Sequence, residues 1–289
     1  MGTESIKCDR RTYKTSDFRG NIPPLITPIC LNKDGNKIVD LKSFKKEIGH
    51  VINHVDGIFL LGTAGESPTI PSDQFDIAVS KGIEIIRKKK HDMPVLVGVS
   101  ADNIEEMIRR AKFAEENGAD ALVLVPLFGK GNDQEKLNKL LENTSLPIVL
   151  YDNPGIHTEN NNGKDLSFEF VKKAKEESDG RVIGIKITSQ NKTMFEDCLK
   201  LQDEYFHILQ GGANVDTLHM NVEGQKVQGI VSFEAVISPI LINLLIKNPN
   251  NKLLIYMVSK LGKKVENPEM VKKTLKSLGI LATALMFKD

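Results

Sequence analysis

The chain has 289 residues, 40% of them hydrophobic and 27% charged, a balance that excludes intrinsic disorder and leaves room for one large core or two smaller ones. Its 39 basic and 38 acidic residues nearly cancel, and apart from the run Arg87 to Lys90 the basic ones are scattered, so bulk charge gives no reason to expect a nucleic acid or a membrane as partner. Cys8, Cys30 and Cys198 are odd in number and form no CxxC pair, which argues against a disulfide framework or a zinc site and for a reducing compartment.

The first twenty residues, MGTESIKCDRRTYKTSDFRG, are polar and lack the apolar core of a signal peptide. The longest apolar stretches, such as ILINLLI, are too short to span a bilayer, so a cytoplasmic location is expected. From there, short apolar runs alternate with amphipathic stretches. NIPPLITP, DGIFLLGT, PVLVGVS, DALVLVP, LPIVLYDNP, RVIGIKITS, FHILQGG and KVQGIVS read as about eight strands. Between them VDLKSFKKEIGHVINH, PSDQFDIAVSKGIEIIRKKK, NIEEMIRRAKFAEENG and LSFEFVKKAKEES carry apolar residues at helical spacing. Ser72 after Pro71 and Asp102 before Asn103 look like caps, and Gly118 like a helix stop.

Strand and helix repeated in this way, with no Gly/Pro/Ser linker, predict a (β/α)8 TIM barrel with a C-terminal helical extension. A doubly wound open sheet would carry a glycine-rich turn after the first strand, where this chain has TPICLNKDG. The expected organisation is a polar leader over 1–20, barrel strands and intervening helices over 21–233, and the last barrel helix with a helical appendage over 234–289.

Chemistry in such barrels sits at the carboxyl ends of the strands. There lie Thr63, Ala64, Gly65 and Glu66 after strand two, Tyr151, Asp152 and Asn153 after strand five, Lys186 on strand six, and Gly211 and Gly212 after strand seven. In VIGIKITS, regular alternation puts Ile183, Ile185 and Ile187 on one face and Val182, Gly184, Lys186 and Thr188 on the other. An ammonium facing a packed interior escapes, finds a partner or gives up its proton, and the neutral amine is the form that attacks a carbonyl. A nearby tyrosine can relay the proton as water leaves, and the amides of a glycine turn can hold a carboxylate. Each residue also has a plainer reading: a solvent-reaching or ion-paired lysine, a packed aromatic, a tight turn, a phosphate cradle or helix start at Gly211 and Gly212. Glu66 reads as a structural cap or anchor, and His157 and His219 lack the spacing and partners of a metal site.

Together the motifs resemble the dihydrodipicolinate synthase/N-acetylneuraminate lyase family of class I, Schiff-base-forming aldolases. GTAGES is similar to the family's G-[ST]-[ST]-G-E turn, YDNPG to its Y-N-x-P, GIKIT to its G-[IL]-K-[ED]-x-[ST] and GIVS to its G-[VA]-I-S, in order from about Ile22 through Ser232. The resemblance implies a lyase or aldolase that binds pyruvate or a related keto acid as an imine on Lys186. Tyr151 would be the proton relay, hydrogen-bonded to Thr63. The turn at Thr63, Ala64 and Gly65 would hold the keto acid's carboxylate, and Val231 and Gly211 would line the pocket. No metal or organic cofactor is implied; the partners would be a small keto acid, an aldehyde and further copies of the chain as a homotetramer or homodimer.

Three departures bear on the substrate. Ala64 removes a hydroxyl from the turn, Phe128 stands where the family has a tyrosine that reaches a neighbouring subunit's relay, and NPGIHT has Ile156 or His157 where dihydrodipicolinate synthases carry a carboxylate-gripping arginine. The expected reaction is therefore a pyruvate-dependent cleavage or condensation with a 2-keto-3-deoxy sugar acid type substrate. Dihydrodipicolinate synthesis and a non-catalytic keto-acid or sugar-acid binding barrel are the alternatives. The loops GKGNDQEK and HTENNNGKD, with Asn132, Asn160 and Lys164, are the expected readers of the substrate's distal end.

Overall fold

Pro23, Pro24 and Pro28 have no N–H to give a ladder, so only the start of the first apolar run forms a regular strand. A computed structural model describes residues 17–156, 164–212 and 215–288, and in it the first strand, β1, spans Gly20–Asn21. The other barrel strands are β2 (Ile58–Leu60), β3 (Val95–Gly98), β4 (Ala121–Leu124), β5 (Ile148–Asp152), β6 (Val182–Ile187), β7 (His207–Gly211) and β8 (Gly229–Val231). They form one eight-stranded parallel sheet in the order β1-β8-β7-β6-β5-β4-β3-β2. Its two ends meet: Phe59 N–H donates to the Pro23 carbonyl (3.1 Å) and Leu25 N–H to the Phe59 carbonyl (2.8 Å), so the sheet closes into a barrel. Closure removes both sheet edges.

Helices follow the strands as the periodicity predicts: α1 (Leu41–Val51), α2 (Ser72–Lys89), α3 (Ile104–Glu116), α4 (Asp133–Asn143), α5 (Phe168–Glu177), α6 (Lys192–Leu201) and the short α7 (Val215–Leu218). After β8 come α8 (Phe233–Ile237), α9 (Pro239–Lys247), α10 (Lys252–Gly262) and α11 (Pro268–Ser277). Outward strand residues such as Leu60, Val97, Leu122, Leu150 and Ile208 pack under the helices, while Ile22, Phe59, Leu96, Val123, Val149 and Leu209 fill the barrel. The C-terminal helices bury Val236, Val265, Val271 and Leu275 against Ile26 and Ala64, which sets them over the turn after β2. Among the described residues no helix is long and apolar enough to cross a membrane.

Several local expectations change. The barrel starts earlier than residue 21: Phe18, 2% exposed, belongs to the interior cluster and β1 begins at Gly20. The stretch after Ile26 forms an antiparallel hairpin, Ile29–Leu31 with Lys37–Val39, turned by the Asn32 side chain, which accepts from Asp34 and Asn36. The cap of α3 is Asn103 rather than Asp102, its Oδ1 accepting Glu106 N–H at 2.8 Å; Ser72 is the first residue of α2, and its hydroxyl bonds Glu106. The regular alternation expected in VIGIKITS is also broken. The pairing of β5 with β6 shifts between Ile148 and Val149, skipping Ile183, and this bulge turns Ile183 inward and Val182 outward with Ile185 and Ile187. Lys186 still faces the interior.

Candidate active site

The register of β5 against β6 pairs Tyr151 with Lys186. Both side chains are buried, at 3% and 5% exposure, and the Lys186 Nζ stands 3.8 Å from the centroid of the Tyr151 ring and 5.5 Å from that of Phe59. A cation over a ring face is held by the ring's quadrupole. The lysine nitrogen is thus held beside the tyrosine on the inner face of the barrel.

The phenol's surroundings set its acidity. Asn153 Nδ2 donates to the Tyr151 hydroxyl at 2.9 Å and Thr188 Oγ1 donates to it at 3.3 Å. Thr63 Oγ1 lies 3.5 Å away, in a hydrogen bond that either hydroxyl can donate. Burial pushes the Tyr151 phenol up, but the Lys186 charge and the hydrogen bonds from Thr188, Thr63 and Lys186 outweigh it and hold the group below its ordinary value of 10. Neither Asn153 nor Thr188 drew attention in the sequence as a partner of Tyr151. Asn153 was within reach of the rule that residues two apart in a strand share a face; Thr188 needed the strand register.

Thr63, Tyr151, Lys186 and Thr188 line a cavity of about 330 Å³ with Pro24, Gly212, Val231 and residues of the C-terminal segment. In the turn after β2, the amides of Gly65, Glu66 and Ser67 bond Gly62 and Thr63 carbonyls, whereas no carbonyl among the described residues accepts from the amides of Thr63 and Ala64. The expected role of Gly65 as a carboxylate donor is therefore corrected: its N–H is engaged at 3.0 Å and its carbonyl accepts from Thr27 at 2.8 Å, so it shapes the turn. The Ala64 side chain points into the C-terminal helices and leaves only its amide for a ligand. Gly211 is also not a ligand-facing cradle. A Cβ there would lie 2.2 Å from Thr188 Oγ1 and 3.0 Å from Lys186 Cε, so the glycine makes room for the lysine, and it is Gly212 that reaches the cavity.

Asp152 turns away from the cavity. Its Oδ1 accepts Leu166 N–H at 2.8 Å, and burial pushes its carboxyl up to about 6. Glu66 is an anchor: it pairs with the Lys272 ammonium of α11, and its Oε2 accepts Phe287 N–H at 2.7 Å. Phe128 does not reach outward; its ring packs beside Val123, Val125 and Tyr151 in its own chain, leaving about 10 Å³ free in the adjoining pocket. Asn132 caps α4, its Oδ1 accepting Gln134 N–H at 2.9 Å and Glu135 N–H at 3.3 Å. Lys164 is exposed, and His157 and Asn160 lie outside the described residues.

The dihydrodipicolinate synthetase family model matches residues 17–287. The chain belongs to the dihydrodipicolinate synthetase family. The chain is 33% identical over 221 residues to the 4-hydroxy-tetrahydrodipicolinate synthase of Persephonella marina, covering 74% of this chain and 69% of the relative. It is 28% identical over 227 residues, 77% of this chain and 73% of the relative, to that of Methanoculleus marisnigri. The 4-hydroxy-tetrahydrodipicolinate synthase from Methylacidiphilum fumariolicum shares the fold with a TM-score of 0.79 at 24% identity, over 94% of this chain and 90% of that one. As a dihydrodipicolinate synthetase family member the protein is a carbon–carbon lyase or synthase of the class I pyruvate aldolase type.

Proposed function

We propose that the protein joins pyruvate to an aldehyde, or cleaves the product of that union, through an imine on Lys186. The observation that carries this reading is the placement of the Lys186 Nζ 3.8 Å from the Tyr151 ring on the wall of an open cavity. The neutral amine attacks the keto carbon, and the amides of Thr63 and Ala64 take the keto acid's carboxylate. Tyr151 gives its proton to the departing hydroxyl, water leaves and the imine forms; Thr63 returns a proton to the phenolate. Loss of a methyl proton converts the imine to an enamine, whose carbon attacks the aldehyde. The aldehyde oxygen takes up a proton and water then releases the product.

For the second substrate we place a 2-keto-3-deoxy sugar acid type product first, because no arginine lines the cavity among the described residues. The curated relatives named 4-hydroxy-tetrahydrodipicolinate synthase favour a second reading, in which the aldehyde is aspartate semialdehyde. Assembly into a homodimer or homotetramer is part of the proposal, and light scattering measures it.

The deciding experiment is intact-mass spectrometry after incubation with pyruvate and sodium borohydride. A pyruvate-sized addition is expected on the wild type and is expected to vanish in Lys186→Ala. An unlabelled wild type defeats the imine mechanism; stabilisation by keto acids without turnover would then favour a binding role.

A further inference from the structure

The perimeter of the Lys186 cavity is completed by Ser232, Phe233, Glu234, Gly262, Val265 and Glu266, all from the chain after β8. Two of these are carboxylates, and Lys186 is the one cation in the lining among the described residues. Once Lys186 is consumed as an imine and the keto acid's carboxylate is bound at the Thr63 turn, a second substrate meets no positive side chain of the described lining. It meets acid.

Glu234 is held where it stands. It lies in the first turn of α8, where its carboxyl is bonded by the Ser232 hydroxyl and its own backbone N–H. A Cβ on Gly262 would come within 2.8 Å of its Oε1, so the glycine at the end of α10 leaves the space the carboxyl occupies. No lysine or arginine stands against Glu234 among the described residues, and burial pushes its carboxyl above the ordinary range despite those hydrogen bonds. Glu266, exposed, lies at the rim. The helix-start position explains why an acidic residue is tolerated there. It does not explain an unpaired carboxyl on the wall of a reactive cavity.

We propose that Glu234 is the specificity-determining residue for the second substrate: it accepts a hydroxyl of an uncharged, hydroxylated aldehyde and turns away aldehydes that carry a carboxylate. Like charges brought together in a partly desolvated cavity repel, whereas a hydroxyl donates to a carboxylate in a charge-assisted bond. This inference rests on the imine reading. The bond that forms joins the keto acid's methyl carbon to the aldehyde carbon, the aldehyde oxygen becomes a hydroxyl by taking one proton, and Glu234 exchanges no proton with either.

The test separates the two readings. Pyruvate trapping with borohydride is run on the wild type, Glu234→Gln, Glu234→Lys and Gly262→Ala, followed by condensation of pyruvate with glyceraldehyde or with succinic semialdehyde. Trapping is expected in all four proteins. The wild type is expected to prefer glyceraldehyde at least tenfold in kcat/KM, and Glu234→Lys to move that ratio at least tenfold toward the carboxylated aldehyde. Glu234→Gln is expected to move it in the same direction by less, and Gly262→Ala, which displaces the carboxyl, to raise KM for glyceraldehyde. Trapping with an unchanged ratio in both Glu234 variants, or a wild type that prefers succinic semialdehyde, overturns this inference alone. A wild type that does not trap pyruvate overturns the imine reading and this one with it.

Discussion

Tyr151 shows how the acidity of one hydroxyl is set by its neighbours. Asn153 and Thr188 both donate to it, and the hydrogen bond with Thr63 can run in either direction. A donor to the phenol favours the ionised form, so its loss raises the pKa. Thr188→Val is expected to move the Tyr151 titration, followed by phenolate absorbance, to higher pH, and to move the alkaline fall in kcat in the same direction. Losing one such bond is worth about 1 kcal/mol, or about fivefold in kcat. Asn153→Ala is expected to lower kcat more than Thr188→Val, because its bond is shorter and better buried; pyruvate KM should change little. Lys186, Tyr151 and Thr63 were legible in the sequence as candidates because each is the residue type the proposed chemistry demands, at a strand end, and the structure brings the three together. Thr188 was not legible as a partner of Tyr151, because a hydrogen bond between strands depends on register, whereas Asn153 lies two residues on at the same strand end.

At the scale of elements, β6 carries the lysine past a bulge. The skipped residue, Ile183, reverses the facing expected from simple alternation, yet Lys186 still points inward because the reversal falls before it. Hydrophobic pattern alone could not show this, since Val182, Ile183, Ile185 and Ile187 are all apolar and all buried. The end of β7 is shaped around the lysine as well. Gly211→Ala is expected to push against Thr188 and Lys186, cutting the rate of borohydride trapping at least tenfold while the melting temperature falls only modestly; unchanged trapping would show that the lysine does not need this space.

Across the whole molecule, the C-terminal helices are tied to the turn after β2 by a buried charge cluster. Lys272, fully buried, pairs with Glu66 and donates to the Leu285 carbonyl at 2.6 Å, and Glu47 accepts Ile26 N–H at 2.9 Å beside them. Removing one partner of a buried pair strands the other, so Lys272→Met is expected to cost about 3–5 kcal/mol in urea unfolding. Burial pushes the Glu47 carboxyl from 4.5 up to about 8. The unfolded chain sheds that proton near 4.5 while the folded chain keeps it, so stability falls as pH rises between these values. Glu47→Gln keeps the bond to Ile26 and is expected to flatten the pH dependence of the melting temperature across that window.

The sequence by itself determined the alternation of strands and helices, the barrel class, and the lysine, tyrosine and threonine proposed to carry the chemistry, because periodicity and motif order are local properties. Only the tertiary structure decided that Lys272 meets Glu66 from 206 residues away, that Phe128 packs within its own chain, and that Glu234 and Glu266 stand on the wall of the lysine's cavity. Those contacts join segments far apart in the chain, and which of them form depends on how the barrel closes and how the C-terminal helices settle on it.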